Sequence, residues 1–168
     1  MNRILFEASE IDDDIAVCDG ARARHIVSVL RAEVGKTLKI GRIDGPVGEG
    51  TVVSIDDGRV RVRTVWTGEA LRPWVDLVLA PPRPRVLKRL LPQLAAMGVG
   101  RFFLVGAAKV EKDFWGATLL KEEIYRPLLI DGLMQAGTTA LPELHVRRAF
   151  RRFVADELVS SLPLHALV

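Results

Sequence analysis

Cysteine is almost missing from this chain: Cys18 is the one thiol in 168 residues, so no internal disulfide can form. No apolar run approaches the roughly 20 residues that cross a bilayer as a helix, because charges or prolines interrupt every candidate. The opening stretch "MNRILFEASEIDDDIAV" turns acidic where a secretory signal would carry an apolar core. These absences predict a reduced, cytoplasmic protein. Familiar catalytic signatures are also missing: there is no Walker loop, no G-x-S-x-G elbow, no H-E-x-x-H and no C-x-x-C. Gly98-Val99-Gly100 lacks the third glycine of a dinucleotide fingerprint and lies after a helix pattern rather than before one, so it is read as a helix stop. No metal site is expected, since nothing near His25 supplies ligand spacing.

An excess of one charge is scarce as well. The net charge of +3 is too small to name a partner, but its distribution is uneven. Residues 1–72 carry 11 Lys+Arg against 12 Asp+Glu, whereas residues 73–168 carry 13 against 9. The basic residues of the second half gather at Arg83, Arg85, Lys88 and Arg89 and again in "RRAFRR", at Arg147, Arg148, Arg151 and Arg152. What the chain does have is apolar content, 49%, enough for a packed core.

Two patterns divide the chain. Up to Trp66, short strands ("RILF", "DIAVC", "KTLKIG", "EGTVVSI", "RVRVRTVW") alternate with turn formers such as Asp57-Gly58, which predicts a small barrel. The last strand places Val60, Val62 and Thr64 on one face and Arg59, Arg61 and Arg63 on the other, and a solvated arginine face is the simpler reading of the second. "ARARHIVSVLRAEVG" interrupts the strands with Ile26, Val27 and Leu30 at helical spacing, which predicts a helix plugging the barrel and displaying Arg22, His25 and Arg31. The boundary falls in "TGEALRPW", giving units at 1–72 and 73–168.

Beyond the boundary strands alternate with helices. "VDLVLA" is read as a buried strand, "RVLKRLLPQLAAM" as a helix with Leu87, Leu90, Leu91, Leu94 and Met97 on one stripe, and "RFFLVG" as the next strand. Then come the helix "LLKEEIYRPLLIDGLMQAG", the strand "ELHV", the helix "FVADELVSSL" and the strand "LHALV". This order predicts an α/β unit with a parallel sheet, and Pro92 and Pro127 are expected to kink or restart their helices. "PPRPR" then occupies the loop at the carboxyl end of the first strand, where open α/β sheets bind ligands, with Pro84 in the first turn of a helix whose positive end points the same way. Binding of a polyanion is the natural expectation.

Longer stretches carry a resemblance. The segment "H-I-x-x-V-L-R-x-x-x-G" at 25–35, "M-G-V-x-R" at 97–101 and "Q-A-x-x-T-x-L-P-E" at 135–143, in this order over nearly the whole chain, resemble the RsmE family of 16S ribosomal RNA uridine N3-methyltransferases. The resemblance implies an N-terminal PUA-like RNA-binding β-barrel joined to an α/β-knot (SPOUT) methyltransferase domain, S-adenosylmethionine as cofactor, 16S rRNA or the small ribosomal subunit as partner, and a homodimeric parent protein. Departures are visible: Met134 stands where the family carries glutamate and Thr138 where it carries arginine. The family's "G-P-E-G-G" and "L-G-x-R-x-L-R-x-E-T-A" segments, which thread the knot and cradle the cofactor, have no counterpart here. The expectation is therefore an incomplete SPOUT domain in which this chain grips RNA, holds no complete cofactor site and is inactive alone.

The residues expected to touch RNA are Arg83, Arg85, Lys88 and Arg89, then Arg3, His25 and Arg31 from the barrel segments, with Gln135 at the edge of the nucleotide site. Two other readings stay open: a non-catalytic RNA-binding module, and an α/β nucleotide-binding protein unrelated to RNA.

Overall fold

A computed structural model describes residues 3–158. Its first part is a curled six-stranded sheet built from β1 (Ile4–Phe6), β2 (Ile11–Asp12), β3 (Ile15–Cys18), β4 (Thr37–Arg42), β5 (Val47–Asp56) and β6 (Arg59–Gly68), in the spatial order β1-β4-β5-β6-β3-β2. Only the β1–β4 pair is parallel among these neighbours. The two ten-residue strands β5 and β6 form a hairpin around Asp57-Gly58, and the alternation read from sequence is what buries it: Val60, Val62 and Thr64 face inward while Arg59, Arg61 and Arg63 face water. Arg61 meets Asp56 at 3.1 Å and Arg63 meets Asp14 at 3.2 Å, so the arginine face is partly neutralised.

The helix that plugs this half-barrel is shorter than its periodicity suggests. Helix α1 (Gly20–Arg24) widens into a π turn over His25–Val29, where the Leu30 amide donates to the His25 carbonyl at 3.0 Å. Ile26 and Ala23 are buried in the core and Leu30 packs against it, but Val27 is 40% exposed and lies outside that core. The chain leaves helical structure before Gly35.

The second part is a three-stranded parallel sheet, β7 (Val75–Leu79), β8 (Val99–Val105) and β9 (Glu143–Arg147), in that order. Helix α2 (Pro84–Ala96) connects β7 to β8 and helix α3 (Glu122–Ala136) leads into β9; both pack with Phe102 and Leu104 of β8. Leu87, Leu91 and Ala95, spaced by four, form the buried stripe of α2, and burial of each leucine is worth about 1.5–3 kcal/mol. Met97 departs from the predicted stripe: it lies past the last helical residue and is 62% exposed, because Ala95 occupies the position that faces the sheet. β7 is not a buried strand either. Asp76 and Val78 are exposed, since they lie on the second face of the sheet, where Phe153 of α4 (Phe150–Phe153), with Val154 and Leu158 after it, packs on Phe103 and Val105 of β8 and leaves β7 uncovered. The predicted helix over 153–162 is described only to Leu158, and "LHALV" lies outside the described residues.

Neither Pro92 nor Pro127 breaks its helix. Tertiary packing overrides the local penalty, since α2 and α3 cross with the Pro92 carbonyl lying directly over Gly132, where any Cβ would collide with it. Gly132 is thus the contact point that lets the two helices approach.

The two sheets are tied by polar bonds as well as by a shared core that runs from Leu5 and Ile43 into Leu129 and Leu133. Arg126 of α3 grips Glu7 with two bonds, 2.5 and 3.0 Å. The Asp44 amide donates to the Thr139 carbonyl at 2.8 Å, the Thr139 hydroxyl donates to the Gly45 carbonyl at 2.7 Å, and the Leu141 amide donates to the Asp44 carboxylate at 2.7 Å.

Candidate nucleic-acid interface

Two features of the described surface concern a polyanionic ligand. The first is the start of α2, at the carboxyl edge of the parallel sheet. The Pro81-Pro82 pair stiffens the loop, Arg83 sits extended at the N-cap, and Pro84 occupies N1, where a missing amide costs nothing. Arg85 and Arg89 are one turn apart with Lys88 beside them, all exposed on the flank of a helix whose other flank is buried. Arg83 faces Glu111 at 3.6 Å, with both side chains largely in water, so this pair leaves most of the local positive charge available.

The second feature is a groove of about 300 Å³ where barrel and α/β unit meet, lined by Ala21, Arg22 and His25 on one side and Asp131, Met134 and Gln135 on the other. Arg22 is fixed there: its guanidinium grips the Glu10 carboxylate and donates to the Leu5 carbonyl at 2.8 Å, and the bond to Glu10 chiefly raises its pKa. The Nε2 atom of His25 is buried with no hydrogen-bond partner, an arrangement that costs free energy until something bonds to it. Asp131 and Gln135 stand one helical turn apart on α3, and desolvation pushes the Asp131 carboxyl above its ordinary pKa.

The residues anticipated from sequence are distributed unequally. His25 and Gln135 come together in this groove although 110 positions separate them in the chain. The Arg83–Arg89 cluster forms a separate surface. Arg31 is exposed, in a left-handed backbone conformation (φ 49°), and does not line the groove. Arg3 is spent inward: it donates to the carbonyls of Gly137 at 2.9 Å and Ile40 at 2.6 Å, a structural tie between the two units rather than an exposed charge, and desolvation lowers its pKa. Asp131 was missed, yet its i, i+4 relation to Gln135 on one helix was readable. "RRAFRR" is largely committed within the fold: Arg147 bonds Glu157 at 2.6 Å, Arg152 meets Asp156 at 3.3 Å, and Arg148 lies over the Trp115 ring. Among the described residues no cluster of metal-ligating side chains is present, and no helix is long and apolar enough to cross a membrane.

Comparison with known proteins places this geometry. Residues 18–65 match the model of an RNA methyltransferase PUA domain and residues 70–164 that of an RNA methyltransferase domain. A ribosomal RNA small subunit methyltransferase E from Treponema pallidum is 33% identical over 161 residues, covering 93% of this chain and 60% of the relative. A second curated relative, from Borreliella burgdorferi, is covered to 61%, so the chain spans about three fifths of the length of these proteins. The fold is that of a probable rRNA-methyltransferase from Porphyromonas gingivalis, with TM-score 0.71 at 22% identity over 91% of this chain and 63% of that one. It is likewise that of a ribosomal RNA small subunit methyltransferase E from Neisseria gonorrhoeae bound to S-adenosyl methionine, with TM-score 0.66 at 12% identity over 96% and 66%. With a PUA-like half-barrel joined to a SPOUT-like parallel sheet and both family models matched in sequence order, the chain belongs to the RsmE family of RNA methyltransferases.

Proposed function

We propose that this chain holds small-subunit ribosomal RNA for methyl transfer from S-adenosylmethionine to N3 of a uridine, and that its described residues supply the RNA-gripping part of that reaction. The observation that supports this most is the groove at the junction, where His25 from the barrel and Asp131 and Gln135 from α3 line one space at the lower end of the range for small-molecule sites. A nucleotide entering it would lie against His25, and the edge of its base would meet an amide and a carboxyl group at fixed spacing. Neutral uridine carries a proton on N3, so methylation needs that proton to leave while N3 is held in line with the methyl carbon. The chain's contribution is orientation by the groove and charge neutralisation by Arg83, Arg85, Lys88 and Arg89.

S-Adenosylmethionine, when bound, supplies the methyl group. The concavity at the carboxyl edge of the sheet, lined by Val78, Ala80, Val105, Phe150 and Arg151 among others, includes no carboxylate to receive the cofactor's ammonium group or ribose hydroxyls. The described residues there do not fit the cofactor by themselves. That mismatch favours, as a second reading, a chain that binds RNA without turning it over.

Binding of a small-subunit RNA fragment tests the proposal. His25→Asn and Gln135→Ala are expected to weaken binding while shifting Tm by no more than about 1–2 °C, the range of substitutions that leave the core intact. Any methyl transfer is expected to yield 3-methyluridine by nucleoside mass spectrometry. Loss of Tm with unchanged RNA affinity would make both residues structural, and a methyl group on another atom would overturn the uridine assignment.

A further inference from the structure

The segment "LRPW" between the two sheets presents an unusual surface. Trp74 and Leu71 are each 75% exposed, and Met97 beside them is 62% exposed. Yet Trp74 is not loose. Its Nε1–H donates to the Met97 carbonyl at 2.9 Å, its backbone amide donates to the Gly98 carbonyl at 3.3 Å, and the pyrrole edge of the indole rests on Gly98. Gly98 has φ 86°, and a Cβ there would stand 2.7 Å from Nε1, so only glycine lets the indole lie in this position. Most of a large aromatic ring is therefore held out in water by three contacts to the backbone, beside an exposed Arg72. The cleft beneath it, about 360 Å³, is lined by no carboxylate.

We propose that Trp74 is a stacking platform for an unpaired nucleobase of the RNA, with Arg72 meeting the adjoining phosphate. This rests on the RNA-binding reading above. An exposed aromatic fixed before binding loses little entropy when a base stacks on it, and a cation at its side with no anion in the cleft complements a nucleic-acid strand rather than an acidic protein surface. The pairing of aromatic face and basic side chain is the arrangement by which single strands are held without base-specific hydrogen bonds. The site lies at the amino-terminal end of β7 and β8, away from the Arg83–Arg89 surface, so it would hold a different part of the strand.

The test uses the full chain and an unstructured ten-nucleotide RNA carrying 2-aminopurine at alternate positions. With the wild-type chain, 2-aminopurine fluorescence is expected to be quenched on binding. Trp74→Leu should weaken affinity roughly 5- to 150-fold and abolish the quenching, with little change in salt slope, while Trp74→Phe should retain most of both. Bound RNA without quenching by the wild-type chain would overturn the platform whatever the variants do. Equal affinity and quenching in Trp74→Leu would also overturn it, as would loss of self-association in that variant with RNA affinity intact, which would make the patch a contact between copies of the chain. A wild-type chain that binds neither this probe nor a small-subunit RNA fragment would instead overturn the RNA-binding reading itself.

Discussion

Replacing Arg83, Arg85, Lys88 and Arg89 together by alanine removes four exposed cations from one flank of α2 without touching Leu87, Leu91 or Ala95. Each phosphate neutralised contributes about 0.7 to the slope of log K against log salt for a single strand and about 0.9 for a duplex. Arg83 already faces Glu111, so the four cations amount to somewhat more than three free charges, and the slope should fall by about 2 to 3. Over a fourfold rise in salt, from about 50 to 200 mM, a slope difference of that size separates wild type and variant by about 16- to 64-fold in how much affinity they lose. Fluorescence anisotropy with a labelled small-subunit RNA fragment, repeated across that range, reads the slope directly. Arg59, Arg61 and Arg63 provide the comparison: they are also exposed, in one row, but two of them already face carboxylates, so their removal should change the slope by less than half as much. An unchanged slope in the α2 variant, or an equal change in the β6 variant, would refute the assignment of the grip to α2.

Two further outcomes concern the junction that holds the groove together. The Arg126 bond, and then the charges of Arg126 and Arg22, hold the Glu7 carboxyl below its ordinary pKa despite partial burial, so the clamp's contribution is full above the ordinary glutamate range and lost as pH falls through the lowered value. Glu7→Gln should therefore cost about 1 kcal/mol near neutral pH, a value held down by solvent screening, and the difference from wild type in urea titrations should vanish in acid; a difference that persists there would assign the effect to packing. Gly132→Ala places a methyl group against the Pro92 carbonyl and should cost about 1–3 kcal/mol by forcing α2 and α3 apart, read as a lower urea midpoint at unchanged m-value. An unaltered midpoint would mean that the helix crossing can relax at no cost.

What sequence made legible here was whatever one element decides by itself. The alternation of β6 settles which face is buried because side chains on a strand point in turn to opposite sides, and the leucines of α2 mark its core face for the same local reason. The errors occur where a second element decides. Met97 fits the leucine period but lies past the end of the helix, and Val27 fits the helical spacing but lies outside the barrel core that Ile26 enters. The prolines of α2 and α3 look like breaks because the penalty is local, whereas the compensation, two helices crossing at Gly132, lies 40 positions from Pro92.

The candidate site was only half visible in the sequence for the same physical reason. His25 and Gln135 could each be named from the motif containing it, but no local pattern says that they share a groove, and Arg3, basic and near a terminus, reads as a surface charge until the carbonyls of Gly137 and Ile40 are found around it. Those carbonyls belong to the end of α3 and to β4, so the fate of Arg3 was fixed by the docking of the two units and not by its neighbours in sequence. That docking also bears on the groove's width, since Glu7–Arg126 holds α3, and Asp44–Leu141 the segment that follows it, against the barrel that carries His25. A substitution that loosens either bond should therefore weaken RNA binding through the spacing of His25 and Gln135, even though neither Glu7 nor Asp44 lines the groove.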